Sequence, residues 1–261
     1  MSGRRFIKYE GLGNDFLVVD ASDVSADEAV RLCDRHFGVG GDGVLMVTPA
    51  PDARARMVVR NADGSSPEMC GNGLRCVALH LAMVDGAERA TYRIVTDAGV
   101  KVAHVTRHGD RADVRVDMGS VRSLGKKRVK TSAGDVEVEL GDAGNPHAIL
   151  FGEYTRADVD RLGPALATHP EFPQGTNVEF CALKPGVIET IVWERGVGVT
   201  LACGTGACAV AVVARATGKV GDGPIEVGLP GGRLVIEPGR EGEPTWMTGP
   251  ARRVFEGALV R

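Results

Sequence analysis

Two cysteines on matching turns are the residues of this chain best suited to chemistry. Met69-Cys70-Gly71-Asn72-Gly73 and Ala202-Cys203-Gly204-Thr205-Gly206 place Cys70 and Cys203 133 residues apart. Each Cys-Gly-x-Gly turn leads into an apolar stretch, Leu74–Val84 in the first copy and Ala207–Ala214 in the second. That pattern predicts a cysteine on a tight loop at the N-terminus of a buried helix, where free backbone N–H groups stabilise a thiolate or a carboxylate. One such cysteine in each half suggests two thiols serving one substrate. Inverting a carbon centre with acid/base groups on opposite faces is chemistry that such a pair could do. An ordinary thiol, with a pKa near 8.5, is only about 3% ionised at pH 7. A helix N-terminus contributes roughly 0.3–1 kcal/mol toward the thiolate, and up to ~2 when partly buried.

The elements that must position these turns are themselves repeated. Gly13-Asn14-Asp15-Phe16 is matched 131 residues later by Gly144-Asn145-Pro146-His147, each followed by an apolar run, Leu17-Val18-Val19 and Ala148-Ile149-Leu150-Phe151. Helix-start signals follow in both halves. Ser25 with Glu28 reads as a capping box, and Thr155 with Asp158 as a weaker one. From Ser25 the positions Ala29, Val30, Cys33 and Phe37 keep helical spacing up to Gly38. Nine residues before each key cysteine stands a polar residue at a strand end, Asn61 and Glu194, and the turns Asp97-Ala98-Gly99 and Pro230-Gly231-Gly232 are 133 apart. This constant offset indicates an internal duplication.

Alternation predicts strands at Tyr92–Thr96, Val100–Val105, Asp113–Asp117, Asp135–Leu140, Glu189–Trp193 and Arg233–Glu237. With 43% hydrophobic residues in 261, both halves have material for a core, and 36 glycines suit short strands joined by tight turns. Strands predominate without regular βαβ alternation, so the expected class is α+β: two pseudo-symmetric β-barrel-like domains, each wrapped around a central apolar helix. The expected domains are 1–128, carrying Cys70, and 129–261, carrying Cys203, with the extreme C-terminal strand a candidate to return to the first. Lys126-Lys127-Arg128-Val129-Lys130 reads as the solvated crossing between them.

A net charge of −3 and a pI near 6.1 give no sign of nucleic-acid binding. Met1–Tyr9 lacks the apolar core of a signal peptide, and no apolar run approaches the ~20 residues that span a bilayer. The expectation is a cytoplasmic protein with reduced cysteines, of which Cys33, Cys76, Cys181 and Cys208 read as small buried hydrophobes. No Cys or His pair has zinc-site spacing, so no metal is expected. Gly38-Val39-Gly40-Gly41-Asp42-Gly43 spells G-x-G-x-x-G, but a helix precedes it and strand Val44–Val47 follows. That order is the reverse of a dinucleotide site, and the segment reads as a turn.

Six segments together resemble the diaminopimelate epimerase family. They are Gly11-Leu12-Gly13-Asn14-Asp15-Phe16, Asn61-Ala62-Asp63-Gly64-Ser65, Cys70–Cys76, Gly144–His147, Glu194-Arg195-Gly196 and Ala202–Cys208. The resemblance runs in family order and spacing from about Phe6 to the C-terminal region. It implies a racemase that needs no cofactor and converts L,L-diaminopimelate to the meso isomer in lysine and peptidoglycan biosynthesis, with substrate in a cleft between two domains. Carried over residue by residue, it makes Cys203 the acceptor of the proton from the L,L substrate and Cys70 the donor on the other face. His147 and Glu194 match residues that tune the thiols. Asn14, Asn61, Asn145, Asn177 and Arg195 match substrate-binding positions, and Gly71-Asn72 and Gly204-Thr205 match backbone donors. Glu194 also matches a substrate-binding position. Where some relatives have a substrate-contacting Gln this chain has Gly43, so any contact there is through the backbone or is lost.

Physical chemistry adds detail to those roles. Two anions side by side repel, so Glu194 fits a proton acceptor or hydrogen-bond partner of Cys203 better than a promoter of its thiolate. His147 could serve Cys70 in the same way. A planar guanidinium at Arg195 can pair bidentately with a distal carboxylate, whereas each Asn alone could equally be a turn residue. The competing readings are a proline, hydroxyproline or histidine racemase, a non-catalytic amino-acid-binding protein, and purely structural cysteines. The expected partner is the small-molecule substrate, with no nucleic acid or membrane, and a homodimer is a candidate assembly.

Overall fold

A computed structural model describes residues 4–240 and 242–259 of the chain. The first three residues of the N-terminal segment read above, and the last two of the C-terminal one, lie outside the described residues. Two compact units emerge: Met1–Asp117 with Thr248–Arg261, and Met118–Met247.

The first unit begins with strands β1 (Arg5–Gly11) and β2 (Asn14–Val19), helix α1 (Ala26–Cys33), β3 (Gly43–Ala50) and β4 (Ala53–Asn61). Helix α2 (Gly71–Val84), β5 (Arg89–Thr96), β6 (Gly99–His108) and β7 (Arg111–Asp117) follow. The second runs through β8 (Arg122–Thr131), β9 (Gly134–Asp142), β10 (Pro146–Phe151), α3 (Arg156–Ala167), β11 (Asn177–Lys184) and β12 (Val187–Glu194). It continues with β13 (Gly198–Thr200), α4 (Gly204–Ala216), β14 (Ile225–Leu229) and β15 (Gly232–Glu237), after which β16 (Trp246–Ala258) re-enters the first unit.

In the first unit the strand order is β1-β2-β3-β4-β5-β6-β7-β16, and β16 pairs back onto β1, closing an eight-stranded barrel. Closure leaves no free edge. In the second unit the order is β15-β14-β12-β11-β10-β9-β8, with β13 on β12. The duplication is visible in the pairing: β1 to β6 match β9, β10, β11, β12, β14 and β15 in turn, and the place of β16 beside β1 is held by β8 beside β9. Helices make two parallel joins in each unit, β2 to β3 through α1 and β4 to β5 through α2, then β10 to β11 through α3 and β12 to β14 through α4. The α+β class holds, but these joins add βαβ units that strand alternation alone does not reveal.

α2 packs against all seven strands from β1 to β7, and α4 against β8 to β12, β14 and β15, so each lies inside its own unit. Leu74 and Val77–Leu79 on α2, and Ala207–Ala211 on α4, are wholly buried. Helices α1 and α3 cover the outer sheet face. Val19, Leu17 and Met46 pack there with Ala29 and Leu32, and Leu150 and Phe180 with Val159, Leu162 and Leu166. Strands covered on both faces are apolar throughout, which explains the unbroken runs after Asn14 and Asn145.

Several expectations need correcting. The boundary expected between 128 and 129 falls inside β8, which pairs along its length with β9; the units divide after Asp117. The basic cluster is therefore strand, with Val129 buried and Lys126 and Lys127 on Glu137 and Glu171. α1 ends at Cys33 rather than near Gly38, because the Asp34 carboxylate accepts from the N–H groups of His36 and Phe37, and Phe37 is 95% exposed. The cap strengths are also reversed. Thr155 and Asp158 form the full reciprocal box, whereas Glu28 leaves Ser25 with one bond and pairs with Arg4 instead.

Candidate active site

Cys70 and Cys203 are the N-cap residues of α2 and α4, with nearly equal backbone angles, φ −137° and ψ 111° against φ −126° and ψ 111°. Each Sγ accepts from the backbone N–H three residues on, Gly73 or Gly206, at 3.4 Å. A cysteine thus takes the part usually played by Ser, Thr or Asp, and the sulfur lies at the positive end of a helix dipole.

Around Cys70, the substrate-binding candidates of the first unit gather at one end of the sheet. A two-residue turn, Leu12-Gly13, joins β1 to β2, and both residues have positive φ, 59° and 80°. Leucine pays a steric cost in that region, and the turn delivers Asn14. Asn14 Oδ1 accepts from Asn72 Nδ2 at 3.1 Å, and Asn14 Nδ2 donates to Asp42 at 2.6 Å. Arg35 donates to both Asp15 and Asp42, and Lys8 pairs with Asp15. Burial raises the Asp15 pKa, but hydrogen bonds from Arg35 and Lys8 outweigh it and hold it below the usual carboxylate value. The glycine-rich segment after α1 is a turn that carries Asp42 to Asn14. Gly43 pairs with Asn61 and Phe16 across β2, β3 and β4. A Cβ at Gly43 would stand 2.7 Å from the Arg60 carbonyl oxygen, so a Gln there requires the β4 backbone to move. Asn61 donates to Ser65 Oγ at 2.9 Å and closes its own turn.

The second unit surrounds Cys203 differently. Thr205 Oγ1 lies 3.5 Å from Sγ. Asn145 precedes β10, where His147 is wholly buried with Nδ1 2.6 Å from Glu179 Oε1 and Nε2 3.0 Å from Asn145 Oδ1. Both ring nitrogens are thus engaged within this unit. Asn177 Oδ1 accepts the N–H of Arg195 at 2.9 Å, and Glu194 Oε1 accepts from Thr200 at 2.6 Å. The Arg195 side chain is folded onto the preceding loop, with Nη1 donating to the Gln174 carbonyl. Cys203 is 6% exposed, and its pKa is pushed well above the ordinary thiol value by burial first, then by Glu194 and Glu179; bonds from Thr205 and Gly206 oppose the rise weakly. Burial and the two carboxylates thus oppose the thiolate that the helix N-terminus favours.

A sequence profile described as Diaminopimelate epimerase matches residues 6–124 and 141–254. The chain belongs to this family. It is 44% identical to the diaminopimelate epimerase of Synechococcus elongatus over 98% of each chain, and 44% identical to that of Desulforudis audaxviator over 98% of this chain and 99% of the other. Solved structures of similar fold include a Bacillus anthracis phenazine biosynthesis protein of the PhzF family, with TM-score 0.78 and 16% identity over 100% of both chains. A probable proline racemase from Agrobacterium radiobacter has TM-score 0.74 and 19% identity over 98% of this chain and 93% of that one. At such identities these two establish the fold alone. Among the described residues no helix is long and apolar enough to cross a membrane.

Sequence reasoning missed three residues that hydrogen-bond to the candidate site residues of this epimerase: Asp42, Thr200 and Glu179. Glu179 had a legible signal, being an acid within the otherwise apolar run Val178-Glu179-Phe180-Cys181 on the strand face opposite Val178 and Phe180.

Proposed function

We propose that the chain interconverts L,L- and meso-diaminopimelate by a two-base route without a cofactor, Cys203 taking the α-proton of the L,L isomer and Cys70 returning one to the opposite face. The observation that carries this reading is the pair of cysteines at the same cap position of two duplicated helices. Removing a weakly acidic Cα proton needs a base on one face and an acid on the other, since a single group would have to cross the carbanion plane. Helix N–H groups at Gly71-Asn72 and Gly204-Thr205 hold the reacting carboxylate as its negative charge grows, a preorganised stabilisation. Glu194 receives or hydrogen-bonds the Cys203 proton, His147 supports the site from within the second unit, and Asn14, Asn61, Asn145, Asn177 and Arg195 bind the substrate. The guanidinium of Arg195 serves the distal carboxylate that distinguishes diaminopimelate from a plain amino acid.

The enzyme acts in the cytoplasm on a small molecule, without nucleic acid or membrane, and a homodimer is the assembly to look for. The net charge of −3 speaks against a nucleic-acid partner. Reaction of L,L-diaminopimelate in deuterated water tests the route. Early label is expected mainly in the newly formed meso pool, whereas equal early labelling of both pools would point to one base. No exchange at Cα would reduce the protein to a binder.

A further inference from the structure

We propose that Glu179 is a positioning residue of the Cys203 half-site: its buried carboxylate locks His147 against Asn145 and stands against the first turn of α4, so that the hydrogen-bond direction at Asn145 and the charge facing Cys203 both depend on it. This rests on the reading of Cys203 and Asn145 given above.

Four observations carry it. Glu179 is wholly buried, and its Oε1 lies 2.6 Å from His147 Nδ1. The same oxygen would stand 2.7 Å from a Cβ at Gly206, whose N–H caps onto Cys203 Sγ, so the carboxylate abuts the cap turn itself. Oε2 is buried with no hydrogen-bond partner among the described residues. Finally, the duplicated position in the first unit is Leu45, whose Cδ2 would stand 3.0 Å from a Cβ at Gly73, the counterpart of Gly206. The same slot behind the cap therefore holds an apolar group in one unit and a carboxylate in the other.

The donor pattern gives this difference a consequence. The Glu179 carboxylate takes Nδ1 of His147, and the Asn145 amide oxygen takes Nε2. Asn145 Oδ1 is then consumed by the ring, which leaves the Asn145 NH2 as the group offered to a substrate carboxylate. The charged and titratable groups facing Cys203 are Glu194 from β12 and Glu179 from β11, with Thr205 and the Gly206 N–H from α4 opposing them. Both carboxylates favour the protonated thiol.

Two variants separate these effects in the full chain. Glu179→Gln removes the charge but can still bond Nδ1 through its amide. The pH midpoint of Cys203 alkylation by iodoacetamide, followed on its own peptide by mass spectrometry, is expected to fall by roughly one unit, with KM within threefold of wild type. Glu179→Ala is expected to show the same shift together with a KM raised about tenfold, because the ring no longer fixes Asn145. An unmoved midpoint in Glu179→Gln, or an unmoved KM in Glu179→Ala, overturns the proposal. Should neither variant fold, nitrogen-15 spectra of wild-type histidines decide. A slowly exchanging, strongly downfield Nδ1–H proton is expected from His147, and an unprotonated Nδ1 on that ring overturns the assignment. Cys203→Ser is assayed in parallel. If it keeps turnover the reading of the site fails, whereas the alkylation result concerns the wild-type thiol whatever it reacts with.

Discussion

Phe16 and Leu45 in the first unit occupy the positions that His147 and Glu179 occupy in the second. The strand registers agree, since Phe16 pairs with Gly43 as His147 pairs with Asn177, and Leu45 and Glu179 each stand two residues further along. Asn14 and Asn145 precede them at matching places. Each has its Oδ1 engaged, in one case by Asn72 and in the other by His147. The cap geometry has been kept through duplication while the support behind it has diverged, apolar under Cys70 and ionisable under Cys203. Replacing a buried ionisable pair by well-packed apolar residues of similar volume is often neutral or stabilising, and the first unit shows that the apolar solution fits this fold. The polar pair is therefore what sets the second unit apart from the first.

The strongest test of the shared cap is removal of each sulfur. Cys70→Ser and Cys203→Ser should each lower kcat by roughly 10³-fold in a meso-diaminopimelate-coupled assay, with the thermal midpoint unchanged within a few degrees. If one of them retained more than a tenth of the activity, the two half-sites would not be acting as a pair.

The divergence predicts unequal thiols. Cys70 is half-buried, while Cys203 is buried beside two carboxylates that hold its proton. At pH 7.5 iodoacetamide should modify Cys70 about tenfold faster than Cys203, in line with its greater access and with the carboxylates that disfavour the Cys203 thiolate, as read by peptide mapping. Cys33, pushed up to about 11 mainly by burial, should lag behind Cys70 as well. Because these buried thiols ionise more readily once unfolded, their contribution to stability is intact below about pH 8.5 and is lost as pH rises above it. A melting temperature flat from pH 8 to pH 10 would contradict this.

Alanine at the two cap glycines sharpens the comparison further. Within a helix, Gly→Ala ordinarily gains up to about 1 kcal/mol. At Gly73 the new methyl meets the end of the Leu45 side chain, which can turn aside, so stability should change by under about 1 kcal/mol in either direction. At Gly206 it meets the Glu179 carboxylate and the Cys203 sulfur at 2.7 and 3.3 Å. Overpacking there should cost about 1–3 kcal/mol in chemical denaturation and depress kcat/KM. Equal effects at the two positions would mean that the slots behind the caps do not differ.

What could be read from the sequence was whatever local pattern controls. The caps, the duplicated turns and the inner helices follow from glycine spacing and apolar runs. The hairpins at Asp97-Ala98 and Pro230-Gly231 are two-residue loops between paired strands, Thr96 with Gly99 and Leu229 with Gly232. What could not be read depends on partners distant in sequence. Asp42 reaches Asn14 across 28 residues and Glu179 reaches His147 across 32, and neither spacing has a local signature. The unit boundary was misplaced for the same reason: β8 looks like a charged linker until β9 supplies the acids that face it.

The helices on the outside of the two sheets give the smallest contrast. Thr155 Oγ1 accepts from the Asp158 N–H, and the Asp158 carboxylate accepts in return from the Thr155 N–H at 3.0 Å, so two of the exposed donors at the start of α3 are satisfied. At α1, Ser25 Oγ accepts from the Glu28 N–H at 3.2 Å, but the Glu28 carboxylate turns to Arg4 at 3.2 Å. One donor is met where the other helix meets two. Replacing an N-cap hydroxyl by Ala costs about 1 kcal/mol on average, with a spread of roughly 0.5–2. Ser25→Ala should fall near the lower end, and Thr155→Ala nearer the upper, because it also releases the Asp158 carboxylate from its hydroxyl bond. Neither change touches a half-site, so kcat/KM should stay within twofold of wild type while urea midpoints fall in that order. A larger loss at Ser25 would show that the Arg4–Glu28 contact depends on the cap, making the ion pair part of the start of α1 and not a substitute for its missing half.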